Sequence, residues 1–222
     1  MITVHHLNNS RSQRVLWLLE ELGVPYEVKR YERDKKTNLA PPELLKIHPL
    51  GKSPVIDNGG SVFAETGAII EYVLETFGNG RLAPPKGSPE YWRYKYWLHA
   101  AEGSYMPPLV MSLVFSRIET APMPFFAKPI AKSIAKRARS GYVGPTLNAL
   151  LDYLDAELSK SPWIAGAEFS AADIIMSFPV EAALARVEGA KSRRHLEPYV
   201  KKLHARPAFG RALARGGPYL YA

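Results

Sequence analysis

Three short segments of this chain combine residue types that could do chemistry. The first is Asn8-Asn9-Ser10-Arg11-Ser12-Gln13-Arg14, directly ahead of a run with helical apolar spacing. At a helix start the first backbone N–H groups lack partners and the helix dipole favours negative charge. A hydroxyl or amide from Ser10, Ser12 or Asn9 could therefore help to stabilise an anion there. The same residue types also serve as plain helix caps. The second segment is His48-Pro49-Leu50-Gly51-Lys52-Ser53-Pro54-Val55. A proline at a strand start points to special backbone geometry, a cis bond being one form, or to an ordinary edge strand with a surface lysine. The third is Glu65-Thr66-Gly67-Ala68-Ile69-Ile70, an acidic residue and a hydroxyl opening a helix, which is again also a capping pattern.

The elements that must position these segments follow from periodicity. Ile2 to Leu7 is β-rich, and from Arg11 the residues Val15, Leu16, Leu18, Leu19 and Leu22 form a helical stripe that Gly23 and Pro25 end. Tyr26 to Tyr31 reads as a second strand, giving a βαβ unit. A short helical piece near Glu43 to Ile47 follows. Next come a hairpin turning at Asn58-Gly59-Gly60 and a helix with Ala68, Ile69, Tyr72, Val73 and Phe77 on its apolar face. That order, βαβ, short helix, ββα, is thioredoxin-like. The expected division is an α/β thioredoxin-like domain at 1–78, a linker at 79–89 rich in proline and glycine, and an all-α helical domain at 90–222. Pro107-Pro108 should kink or interrupt the first helix of that second domain.

Composition narrows the chemistry. The 222 residues are 46% hydrophobic and 23% charged, as in ordinary globular proteins. There is no cysteine, which excludes disulfides, thiolate metal sites and a protein-borne redox thiol. Any sulfur chemistry must use a thiol supplied by a ligand. The six histidines show no metal-ligand spacing, and adjacent His5 and His6 on a strand point to opposite faces. No metal is expected. No apolar run approaches the ~20 residues that span a bilayer, and Met1 to Leu7 is too polar for a signal peptide, so the expectation is a cytoplasmic protein without a membrane partner. Residues 1–80 carry nine basic and ten acidic side chains and the rest carry 20 and 11, so the net +8 resides in the second half. Lys128, Lys132 and Lys136 share one helical face, either simply solvated or a rim that draws in anionic substrates. No nucleic-acid motif accompanies the charge, so no specific nucleic acid is expected.

Taken together, "NSRSQRVLWLLEEL", "HPLGKSPVI", "ETGAIIEYVLE", the proline-rich linker and "FSAADIIMSFPV" resemble the glutathione transferase superfamily across essentially the whole chain. The likeness is to bacterial and fungal members with a serine-type N-terminal motif, which share "APPELLKIHPLGKSP" and "EGSYMPPL". In such members the catalytic hydroxyl lies four residues before an arginine. Ser10 and Arg14 have that spacing, so the resemblance implies Ser10 as the thiol-activating residue, with Ser12 and Asn9 as alternates. It also implies glutathione as co-substrate, bound by Lys52 at the glycine carboxylate, by the Ser53 backbone beside Pro54, and by Glu65 and Thr66 at the γ-glutamyl end. Glu102 matches an acidic residue that in several classes reaches the ligand from the partner subunit, which implies a homodimer. Ser170 and Asp173 resemble a structural capping box. The helical domain should supply the electrophile site, with Tyr105, Met106, Leu109 and Met176 as candidates and core packing as their other reading. The implied activity is detoxifying conjugation of glutathione to a small, mostly apolar electrophile. Glutathione-dependent disulfide or peroxide reduction is the alternative enzyme reading, and a non-catalytic glutathione-binding scaffold is a third.

Overall fold

A computed structural model describes residues 1–222. β1 (Ile2–Leu7), α1 (Gln13–Leu22) and β2 (Tyr26–Tyr31) come first, then a 3-10 turn at Pro42–Lys46. β3 (Val55–Asn58), β4 (Ser61–Ala64) and α2 (Thr66–Phe77) follow. The sheet order is β2-β1-β3-β4, with β1 parallel to β2 and antiparallel to β3, and β3 antiparallel to β4. This is the thioredoxin-like α/β unit. Seven helices then form an all-helical unit: α3 (Pro89–Ala100), α4 (Met106–Thr120), α5 (Lys128–Ala138), α6 (Gly144–Leu158), α7 (Ala171–Arg186), α8 (Leu196–His204) and α9 (Pro207–Gly216).

Helix α1 joins the two units. Its stripe residues Val15, Leu16, Leu18, Leu19 and Leu22 are all buried, and so is Trp17. One side of α1 covers the sheet while α7 and α9 pack on the other, so a single apolar core runs from Ile2 and Val4 through α1 to Trp97, Met176 and Phe209. Burial of a large apolar side chain contributes roughly 1.5–3 kcal/mol, so α1 stabilises both units at once. Gly23 ends the helix at φ 64°, a conformation that glycine adopts at little cost.

Local sequence logic explains three departures from expectation. Asn58 stays in β3, paired with Ser61, because Gly59-Gly60 makes the hairpin turn alone at positive φ. On α2 the buried face is Thr66, Ile69, Ile70 and Val73, a 3.6-residue stripe that leaves Ala68 exposed. The expected interruption near Pro107-Pro108 lies just upstream, as a π-helical turn at Ala101–Tyr105, with both prolines in the first turn of α4. Each proline ring would crowd the carbonyl four residues back. Those carbonyls belong to Gly103 and Ser104, inside the widened turn.

Candidate functional site

The sheet brings the three segments to one end. β1 ends at Leu7 and delivers the Asn8–Ser12 loop, and its residue His5 pairs with Val55 at the start of β3, immediately after Lys52-Ser53-Pro54. Val55 also pairs with Ala64, the last residue of β4, so Glu65 and Thr66 emerge beside them. The Ser53-Pro54 peptide is cis, and Ser53 Oγ donates to the His5 carbonyl at 2.8 Å. That contact ties the second segment to β1, while Ser53's own N–H and C=O take no backbone partner. Lys52 is exposed. Glu65 is exposed at φ 69°, ψ 123°, and buried Thr66 follows it as the first residue of α2. A non-glycine residue held there costs on the order of 1–3 kcal/mol, and such conformations cluster at ligand sites.

The three candidates in the first loop have different surroundings. Ser12 is 0% exposed, and its Oγ meets His6 Nδ1 at 2.9 Å and Ser10 Oγ at 2.7 Å. Ser10 is 4% exposed, and its Oγ also accepts from the Ser12 N–H at 3.2 Å. Asn9 is exposed at φ 47°, and its Oδ1 accepts from the Leu220 N–H at 2.9 Å. Asn8 faces away, bonding Glu32 through Nδ2 at 2.6 Å and the Arg33 N–H through Oδ1 at 3.0 Å. His6 is buried, which together with nearby Arg30 lowers its pKa to about 4, against the opposing effect of the Gly216 backbone.

Arg14 lies beneath the loop. Its side chain is 1% exposed, and its guanidinium donates to Glu102 and, at 2.5 Å, to the Ile175 carbonyl. That carbonyl is available because Pro179, four residues on in α7, has no N–H to give it. Burial depresses the Arg14 pKa and Glu102 opposes that effect. Glu102 also pairs with Arg11 at 3.0 Å, so its carboxylate braces the loop of its own chain. The spacing between Ser10 and Arg14 therefore carries a structural link, from the loop to two helical-domain elements.

The four electrophile candidates face inward. Tyr105, Met106, Leu109 and Met176 are all core residues, and Tyr105 Oη donates to the Leu150 carbonyl at 2.8 Å. The π-helical turn widens the helix just before α4 and shifts the phase on which a regular-helix reading depends. The stripe of α4 that includes Val110, Leu113 and Arg117 follows Met106 at helical spacing. Arg117 lies near Arg33, whose pKa burial lowers first and Arg117 lowers further. Asp173 accepts from the Ser170 and Ile164 N–H groups at 2.9 Å each and from Tyr199 Oη at 2.9 Å, anchoring the start of α7. No helix is long and apolar enough to cross a membrane, and no three His, Asp or Glu side chains converge as metal ligands would.

Comparison with known proteins gives a consistent result. Residues 1–75 match the glutathione S-transferase N-terminal domain family and residues 118–207 the corresponding C-terminal domain family. Glutathione S-transferase 3 of Schizosaccharomyces pombe is 35% identical over 208 residues, 94% of this chain and 85% of its own length. Glutathione S-transferase 1 of Saccharomyces cerevisiae is 35% identical over 193 residues, 84% and 82% of the two chains. A crystal structure of a glutathione S-transferase from Actinobacillus pleuropneumoniae superposes with a TM-score of 0.82 at 30% identity, covering 99% of this chain and 94% of that one.

Proposed function

The chain belongs to the glutathione S-transferase family, and from that premise we propose that it binds glutathione where the three segments meet and directs its ionised sulfur onto a small, mostly apolar electrophile. The observation that carries the reading is the convergence of three sets of groups suited to the three units of glutathione. Thr66 and the free N–H groups opening α2 suit the γ-glutamyl carboxylate, and exposed Glu65 suits its ammonium. The unpaired main chain of Ser53 suits the cysteinyl peptide, read as a short added strand. Lys52 suits the glycine carboxylate.

The sulfur then lies over the Asn9–Ser10 end of the loop. A free thiol with pKa about 8.5 is only a few per cent ionised at neutral pH. Lowering that pKa by about two units needs roughly 2.7 kcal/mol, and a hydrogen bond to a charged acceptor contributes about 1.5–3 kcal/mol. Ser10 is our proposed donor. Turning its hydroxyl from Ser12 to the sulfur exchanges a neutral bond of about 1 kcal/mol for that stronger one. Asn9 is a second donor, because Leu220 holds its Oδ1 and leaves the exposed Nδ2 amide without a partner. In conjugation the thiol proton leaves, the thiolate forms a bond to the electrophilic carbon, and the leaving group departs with its electron pair. The electrophile would rest against the Val110, Leu113 and Arg117 stripe of α4, in place of the core residues expected from sequence.

We further propose a cytoplasmic, detoxifying enzyme that acts as a homodimer. Exposed Trp92, Tyr96 and Tyr153, at 67%, 47% and 44%, form an aromatic patch on α3 and α6 suited to an interface. Calorimetry with glutathione, followed by assays with chlorodinitrobenzene and with a mixed disulfide, tests the main reading. Binding and turnover of the first substrate are expected. No heat at millimolar glutathione would make the chain a scaffold, and turnover of the disulfide alone would make it a reductase.

A further inference from the structure

The hairpin of α4 and α5 carries apolar side chains on its outside. Pro122 and Pro124 shape the turn, which the Ala127 N–H closes on the Pro124 carbonyl at 3.0 Å. The turn holds out Phe125 and Phe126, 84% and 66% exposed, whose rings pack edge to face on each other and take no part in the core. Helix α5 packs on α4, and its inward strip is only half-buried Ala131 and buried Ala135. Helical spacing puts Ile130 and Ile134 on one side of that strip and Lys132 and Lys136 on the other, and all four are exposed. A helix that served only the core would turn its isoleucines inward. From Thr120 to Leu151 the chain has five basic residues and no acidic one. Of these only Arg139 has an ion-pair partner, Glu119 at 2.8 Å. Lys128, Lys132, Lys136 and Arg137 therefore leave the outer side of the hairpin positively charged.

We propose that this hairpin docks on an anionic membrane surface, its phenylalanines and isoleucines entering the headgroup boundary and its basic groups meeting the headgroups. Two observations favour a bilayer over a protein partner. The apolar side chains stand on the end and outer side of a hairpin rather than in a groove, and a bilayer needs no complementary shape to receive them. The flanking charge is unpaired and of one sign, which suits a uniformly negative surface, whereas lysine is depleted from protein interfaces. A helix with an exposed apolar edge and basic flanks has the chemistry of a segment lying in the interface plane. No helix is long and apolar enough to span, so the contact is peripheral. The expectation of no membrane partner, drawn from the missing spanning run, does not cover it. The α4 stripe proposed for the electrophile runs toward the same tip, so an apolar compound dissolved in the lipid would meet the enzyme there. That consequence rests on the functional reading above, and the docking does not.

Flotation of the full-length chain with phosphatidylcholine vesicles, with and without about one-third phosphatidylserine, tests the docking at about 0.15 M salt. The unaltered chain should bind the anionic vesicles about tenfold or more tightly than the neutral ones, and lose that margin at about 0.5 M salt. The double variant Phe125→Ser, Phe126→Ser keeps every charge and should bind about tenfold or more weakly. Lys132→Gln with Lys136→Gln should weaken binding about 25-fold, at roughly fivefold for each basic group. Lys191→Gln with Lys201→Gln removes equal charge beyond α7 and should change it less than about twofold. All six side chains are exposed, so every variant should unfold within ~2 °C of the unaltered chain. Equal binding by the phenylalanine variant, or equal weakening by the two lysine pairs, would reduce the contact to net charge and overturn the proposal. No binding of the unaltered chain to anionic vesicles would overturn it outright. Sedimentation in which only the phenylalanine variant loses self-association would then assign the tip to a second copy. Calorimetry with glutathione on the same preparation keeps the two readings apart, since a failure there leaves the docking standing.

Discussion

Ser10, Ser12 and Asn9 lie within four residues of one another yet have different chemical prospects. Ser12 is enclosed and bonded on both sides, so no ligand atom can reach it. Ser10 can swing a hydrogen outward, and Asn9 offers an amide with one end already held. Beneath them His6 makes a prediction about stability. Its folded pKa of about 4 lies below the ordinary 6.5. Below pH 6.5 the unfolded chain gains a proton that the folded chain refuses, so folding stability falls as pH drops from 6.5 to 4 and is unaffected above 6.5. The loss amounts to about 3 kcal/mol. Burial lowers the His5 pKa too, with Lys29 adding to the shift and Asp57 opposing it. The comparison must therefore be with His6→Asn. Urea unfolding across this pH range should show the His6 part of the loss vanish in that variant, and an unchanged pH profile would contradict the assignment.

At the level of elements, the link between Pro179 and Arg14 shows how a helix defect can serve a joint between domains. The proline leaves the Ile175 carbonyl without its helical donor, and Arg14 from α1 takes it while also holding Glu102. Breaking a buried pair by removing one partner costs about 3–5 kcal/mol. Arg14→Met should lower urea-unfolding stability by that order, with glutathione affinity falling only because the loop loosens. A loss below ~1 kcal/mol would mean that the pair does not join the domains. The spacing of Ser10 and Arg14 was readable in sequence, but the role of the arginine was not, because its partners lie 88 and 161 residues away. Strand and helix positions were legible since apolar period and turn residues agree, as in β1, α1 and the Gly59-Gly60 hairpin. Of the two readings for Tyr105, Met106, Leu109 and Met176, core packing is the one that the structure shows, because apolar type alone does not show direction. His6 did leave a signal. Ile2, Val4 and His6 alternate onto one face of β1, the face beneath α1, so a polar ring was due at the start of that helix.

Across the whole molecule, one continuous core binds a nearly neutral α/β unit to a basic helical one, and the groups proposed to react lie at their junction. The α/β unit supplies the groups proposed for glutathione. The helical unit braces the loop through Glu102, Ile175 and Leu220, and presents Arg117 near Arg33. The proposed end of all of this is a glutathione sulfur that is ionised when bound. The most direct test is the ultraviolet titration of the bound thiol in the unaltered chain and in Ser10→Ala. The bound thiol should titrate about two units below the free value of about 8.5, and Ser10→Ala should return at least one of those units, with a tenfold or larger fall in kcat. A bound thiol that titrates at its free value in the unaltered chain would contradict the account.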